Sequence, residues 1–181
     1  MIRGENVDLR AVERTDAHAL YEWLNDPPVM RGWGSSAAAI SLAEAQRQIE
    51  AWIADEIVQG RPQALVIETA ERAPIGLIVL RGERPETRAV ELSILIGEPD
   101  LWGQGLGADA LETVLDACFN GWNLHRVWLR SEAWNSRAHR LYARAGFRQE
   151  GILRQAAFLD GRYEDVLVFG LLAAEWAALE R

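Results

Sequence analysis

The chain has 181 residues, 19 basic against 27 acidic for a formal charge of −8, and every basic residue is arginine. Its composition, 49% hydrophobic and 25% charged, fits a single folded domain spanning 1–181 and excludes collagen-like, disordered and membrane-spanning classes. Net acidity argues against a nucleic-acid partner, because that affinity comes from clustered cations neutralising phosphates. Met1 to Glu5 has no basic region leading into an apolar run, and no segment approaches a membrane-crossing length, so a cytoplasmic protein with no membrane partner is expected. With no lysine, the α-amine of Met1 is the only primary amine in the sequence.

Periodicity predicts strands alternating with helices, without repeats or low-complexity tracts. Asn6 to Val12 reads as a strand, and Thr15 or Asp16 caps a helix through Asn25 whose stripe is Ala19, Leu20, Trp23 and Leu24. Asp26-Pro27-Pro28 stops it, and Val29 to Ile40 reads as a loop. Ser41-Leu42-Ala43-Glu44 has capping-box spacing, opening a helix to about Val58 with Ala45, Ile49, Trp52 and Ile53 inward. Ala64 to Glu68, Ile75 to Arg81 and Ala89 to Ile96 then form an antiparallel meander. After it come a helix over Gly105 to Asn120, a strand over Arg126 to Arg130 and a helix over Asn135 to Ala145. Phe147 to Phe158 and Tyr163 to Leu171 are strands joined by the tight turn Asp160-Gly161, before a short terminal helix around Glu175 and Trp176. The string is β-α-α-β-β-β-α-β-α-β-β, a mixed α/β (α+β) fold.

The most informative stretch is Leu101-Trp102-Gly103-Gln104-Gly105-Leu106-Gly107-Ala108, between a strand and a helix. Three glycines at alternate positions let a ligand approach the backbone, and the helix start adds unpaired amides and a positive dipole end. A pyrophosphate suits such a place. No Gly-Lys-Ser/Thr follows, so it is not a P-loop. In the second stretch, Asn135 to Phe147, Asn135 and Tyr142 are seven residues apart, within about 20° on one helix face, with small Ala138 between them. Asn135 is also a good helix cap and Tyr142 a plausible core residue, so this pair alone leaves a structural reading open.

In this order and spacing, the two segments resemble the GNAT superfamily of acetyl-CoA-dependent N-acetyltransferases. The family's turn is written Gln/Arg-x-x-Gly-x-Gly/Ala; Gly105 and Gly107 match its second and third anchors, and Trp102 stands at the first. Leu20 to Pro27, Leu124 to Val127, Gly161 to Asp165 and Glu175-Trp176 look like the RimJ/RimL type, whose members acetylate protein N-termini. The resemblance implies a mostly antiparallel sheet of about seven strands flanked by helices. It implies acetyl-CoA against Leu95, Ile96 and Gly97, against Trp102, Gly103, Gln104, Gly105, Leu106, Gly107 and Ala108, and against Asn135, Ala138, Arg140 and Tyr142. The expected acceptor is a protein N-terminal amine. The alternatives are a small-molecule amine or antibiotic, and a catalytically silent acyl-CoA-binding module.

Direct attack of an amine on a thioester needs a neutral amine, a donor for the thioester oxygen and a proton for the departing sulfur. Tyr142 is the candidate proton donor, since a phenol near 10 is reasonably matched to an alkyl thiolate. Glu91, eleven residues before Trp102, is the candidate base by the family's spacing; it and Ser93 share one strand face. Its other reading is a partly solvated strand carboxylate. A free glutamate is a poor base for an ammonium near 10, which favours an α-amine acceptor over a lysine side chain. Backbone groups around Leu95 to Gly97, where the family's strand bulges, are expected to polarise the thioester oxygen.

Residues 121–162 hold eight arginines and three acids, net +5, leaving −13 elsewhere. Arg137, Arg140 and Arg144 are candidates for coenzyme A phosphates, and Met30 to Ser36 with Asp160 to Asp165 for the acceptor. His18, His125 and His139 lack metal-ligand spacing, so no metal is expected, and His125 reads as strand-start packing. Cys118 lies on an apolar helix face and reads as a buried, inert thiol. Trp33 and Trp134 fall outside the core stripes and leave a homodimer interface open.

Overall fold

The computed structural model describes residues 1–33, 39–54, 61–84 and 86–179. Among these residues eight strands form one sheet: β1 (Ile2–Arg3), β2 (Val7–Ala11), β3 (Ala64–Thr69), β4 (Pro74–Arg84), β5 (Ala89–Ile96), β6 (Arg126–Glu132), β7 (Arg148–Leu159) and β8 (Arg162–Leu172). Their order is β1-β2-β3-β4-β5-β6-β8-β7. Every neighbouring pair is antiparallel except β5 and β6. The sheet therefore has one strand more than expected. β1 is two residues long and pairs Ile2 with Leu9, too short for any alternation to show in sequence.

Among the described residues six α-helices flank it: α1 (Ala17–Asn25), α2 (Pro27–Gly32), α3 (Leu42–Ala54), α4 (Leu106–Asp116), α5 (Ser136–Arg144) and α6 (Ala173–Ala177). α2 corrects the expectation of a loop from Val29. Asp26 ends α1 in an extended conformation, and the prolines that stop one helix fill the first positions of the next, where a missing N–H costs nothing. Asp16 precedes α1 but does not cap it with its side chain; the carboxylate takes Arg10 and the Glu13 N–H. Ser41 Oγ accepts from Glu44 N at 3.1 Å as the capping-box spacing predicts. In α3, Ala45, Ile49 and Trp52 are buried while Ile53 is exposed. Residues 55–58, the expected end of that helix, lie outside the described residues. The helix expected to reach Asn120 is α4 followed by a π turn, Ala117–Gly121.

Two apolar layers sandwich the sheet. One joins Val90, Leu92, Leu129 and Leu171 to α4, to Tyr142 of α5 and to Trp176; the other joins Val66, Val79 and Leu95 to α1 and α3. Cys118 is fully buried in the first layer, and burial pushes its thiol pKa up, as an inert thiol requires.

Candidate active site

The site is created where pairing stops. β5 and β6 are in register only at Ala89–Arg126, Val90–Val127 and Glu91–Trp128. Past that point β5 stays paired to β4 as far as Ile96, and β6 to β8 as far as Glu132. The two strands follow different neighbours and open as a fork. α4 starts beyond one prong and α5 beyond the other, so both helix N-termini face the mouth.

A cleft of about 320 Å³ fills the fork, within the usual range for a small-molecule site. One wall is Ile94, Leu95 and Ile96, the rim is the turn with Gly103, Gly105, Gly107 and Ala108, and the opposite wall is the Asn135, Ala138 and Tyr142 face of α5. Asn135 caps α5 by accepting from Ala138 N at 3.2 Å. Gly103 and Gly105 have φ of +80° and +87°, a region L side chains rarely adopt, and this conformation turns the backbone into the helix start. Gly105 O accepts from Ala108 N and Asp109 N, which leaves the Leu106 and Gly107 amides at the open end.

The expected strand bulge is absent: β4 and β5 keep one unbroken register from Arg81–Glu91 to Gly76–Ile96, and Gly97 N continues it to Ile75 O at 2.9 Å. The opening comes from lost pairing with β6 instead. Antiparallel alternation then decides which amides are free. Gly97 and, two residues back, Leu95 direct their backbone groups at β4, whereas Ile94 and Ile96 direct theirs into the fork. Ile96 O accepts the Trp102 indole at 2.9 Å, so Trp102 acts through its side chain as a wall of the cleft.

Four predicted site residues do not line the cleft. Gly97 is small because a Cβ there would meet the Trp23 ring at 2.3 Å, on the opposite face. Gln104 turns back to Asp100 O, and Leu106 packs against the core. Glu91 sits at the fork's apex, bound to Arg130 at 2.8 Å and about 13 Å along the strand from Leu95. Among the described residues, no carboxylate or imidazole lines the cleft. His139 is held by Glu132 O and by Phe169, and His125 is exposed where packing was expected. No group of His, Cys, Asp and Glu side chains that could hold a metal occurs among the described residues.

Tyr142 is buried at 7% exposure between Phe147 and Phe169, and burial together with the nearby Glu132 pushes its phenol up to about 12. It is a proton-bearing group at any physiological pH. Arg137, Arg140 and Arg144 line the cleft's outer side, exposed and without an ion pair among the described residues. Sequence reasoning missed Val29, Ile94, Leu101 and Leu141, and named Gly32 only as part of a loop. Val29 and Gly32 arrive on α2, which the proline signal concealed.

An Acetyltransferase (GNAT) domain model matches residues 6–148. The chain belongs to the GNAT acetyltransferase family. This GNAT protein is 29% identical over 173 residues, 96% of each chain, to a spermidine N(1)-acetyltransferase of Vibrio cholerae. It is 25% identical to the putative ribosomal N-acetyltransferase YdaF of Bacillus subtilis, over 96% of this chain and 94% of that one. The crystal structure of the Vibrio cholerae spermidine N-acetyltransferase in complex with CoA and spermine superposes with a TM-score of 0.86 at 29% identity, covering 95% and 98% of the two chains. The chain is therefore an acetyl-CoA-dependent N-acetyltransferase. The cleft has the makings of a site for that cofactor: it offers free amides suited to a pyrophosphate, the unpaired Arg140 and Arg144 suited to phosphates, and apolar β5 residues suited to a pantetheine arm.

Proposed function

We propose that this enzyme acetylates a primary amine of a small molecule rather than a protein N-terminus. The support is the greater likeness to a spermidine acetyltransferase than to a ribosomal one, over nearly the whole of both chains. The observation that carries the catalytic reading is the β5–β6 fork with Tyr142 on its wall.

Bound acetyl-CoA supplies an activated acetyl thioester; the rest is the protein's work. The Gly103 to Gly107 amides and the N-terminus of α4 hold the pyrophosphate, with Arg140 and Arg144 meeting phosphate charge. The inward N–H groups of Ile94 and Ile96 hydrogen-bond the pantetheine arm and the thioester oxygen. Tyr142 Oη donates to the sulfur. Full proton transfer from a phenol at about 12 to a thiolate near 8.5 is uphill by about 5 kcal/mol, so Tyr142 stabilises the departing thiolate as a hydrogen-bond donor that keeps its own proton, and the released thiolate is protonated from solvent. The amine sheds its proton to solvent, and Glu91 fixes the fork's apex through Arg130.

A thiol-release screen of small amines against N-terminal peptides tests the proposal. Turnover confined to small amines is expected; preferred turnover of peptides would overturn it.

A further inference from the structure

A second cavity of about 350 Å³ adjoins the cleft, sharing Gly32, Trp102, Asn135 and Arg137 with it and adding Arg31, Trp134 and Ser136. It is the vestibule on the α2 side. Its charge is one-sided: Arg31 and Arg137 line it, and no carboxylate does among the described residues. Both guanidiniums are supported by indoles, Arg137 at 4.2 Å from the Trp102 ring centre and Arg31 at 5.1 Å from that of Trp134. Stacking leaves the N–H edges of the fork available. Arg31 commits part of its edge to Asp160 at 2.9 Å, but that pair is exposed on both sides, so water already competes for it and a second carboxylate can share the guanidinium. Trp134 Nε1 is the one buried side-chain polar atom without a partner among the described residues. Trp134 lines the vestibule, and an oxygen acceptor that reaches its Nε1 satisfies it.

A polyamine brings several cations and no acceptor to such a wall. From this geometry we infer that the acceptor is an amino acid-like amine, whose carboxylate is held in the vestibule by Arg31, Arg137 and Trp134 while its amine enters the fork. The inference rests on the small-amine reading and narrows it. The matched probes are lysine and its decarboxylated counterpart cadaverine, with spermidine alongside, each assayed for thiol release and titrated calorimetrically into the CoA-saturated protein.

Lysine is expected to exceed cadaverine and spermidine by tenfold or more in both kcat/KM and affinity. Arg31→Gln erases that margin, leaving cadaverine and the acetyl-CoA KM within twofold. Trp134→Phe keeps the ring, removes the N–H and costs lysine about threefold, a second probe should Arg31→Gln fail to fold. Equal or tighter binding of cadaverine or spermidine would overturn the inference. So would an Arg31→Gln variant that loses acetyl-CoA and lysine affinity together, because the vestibule would then serve a cofactor phosphate. Absence of turnover with every amine counts against the small-amine function, while the calorimetric comparison still decides the vestibule.

Discussion

The glycine turn and the α2 vestibule face one another across Trp102, and they are built for recognition by different means. The turn works through backbone: Gly103 and Gly105 at positive φ, amides left open at the start of α4, and Ile94 and Ile96 freed when β6 departs. The vestibule works through side chains, with Arg31, Trp134 and Arg137 brought together from α2, the β6–α5 connection and α5. A backbone site depends on conformation and tolerates many neighbours. A side-chain site is set by individual residues, so relatives sharing the first can differ in the second.

The largest effect should come from breaking the turn. A β-branched side chain in a left-handed conformation costs roughly 1–2 kcal/mol locally and tilts the amides away, so Gly105→Val is expected to weaken acetyl-CoA binding about 100-fold by calorimetry. Next is Tyr142→Phe, which should lower kcat tenfold or more with acetyl-CoA affinity within twofold. An unchanged kcat would remove Tyr142 from the chemistry.

The pH profile sharpens the same point. The rate should rise with pH as the acceptor amine loses its proton. It should show no alkaline fall up to about pH 11, because the phenol must be protonated to donate and ionises only as pH passes its value of about 12. A fall near pH 10 would mean that Tyr142 is not shielded.

Smaller effects separate the two sides further. Asp160→Asn frees Arg31 from its exposed partner, and acceptor KM should change about threefold in either direction with stability altered by less than about 1 kcal/mol. Glu91→Gln should alter kcat less than twofold, since the carboxylate is bound to Arg130 outside the cleft. A loss of tenfold or more would restore Glu91 as the base.

The cofactor side was legible in the sequence because its signals are local. The glycine spacing, the strand before it, and Asn135 and Tyr142 on one helix face are each contained in about ten residues. Periodicity likewise recovered seven of the eight strands, missing only the two-residue β1. What stayed hidden depends on pairing between distant segments. No pattern in Ala89 to Ile96 announces that β6 leaves it after Glu91, and spacing alone therefore carried Glu91 into the site while Ile94 was overlooked. Gly97 was read as a ligand position, although the residue that requires it, Trp23, lies 74 positions earlier. The vestibule was legible only in part: Met30 to Ser36 was named for the acceptor, but Asp26-Pro27-Pro28 reads as a stop, and only the folded chain shows α2 presenting Arg31 to Trp134.

Amide hydrogen exchange with and without coenzyme A reads the two sides of Trp102 separately and so decides whether the cofactor is held by the glycine turn and the fork. Slowed exchange is predicted at Gly103 to Gly107 and at Ile94 and Ile96, with Arg31, Trp134 and Ser136, which line the vestibule but not the cleft, unchanged. Protection of α2 with the glycine turn and fork unaffected would contradict the account.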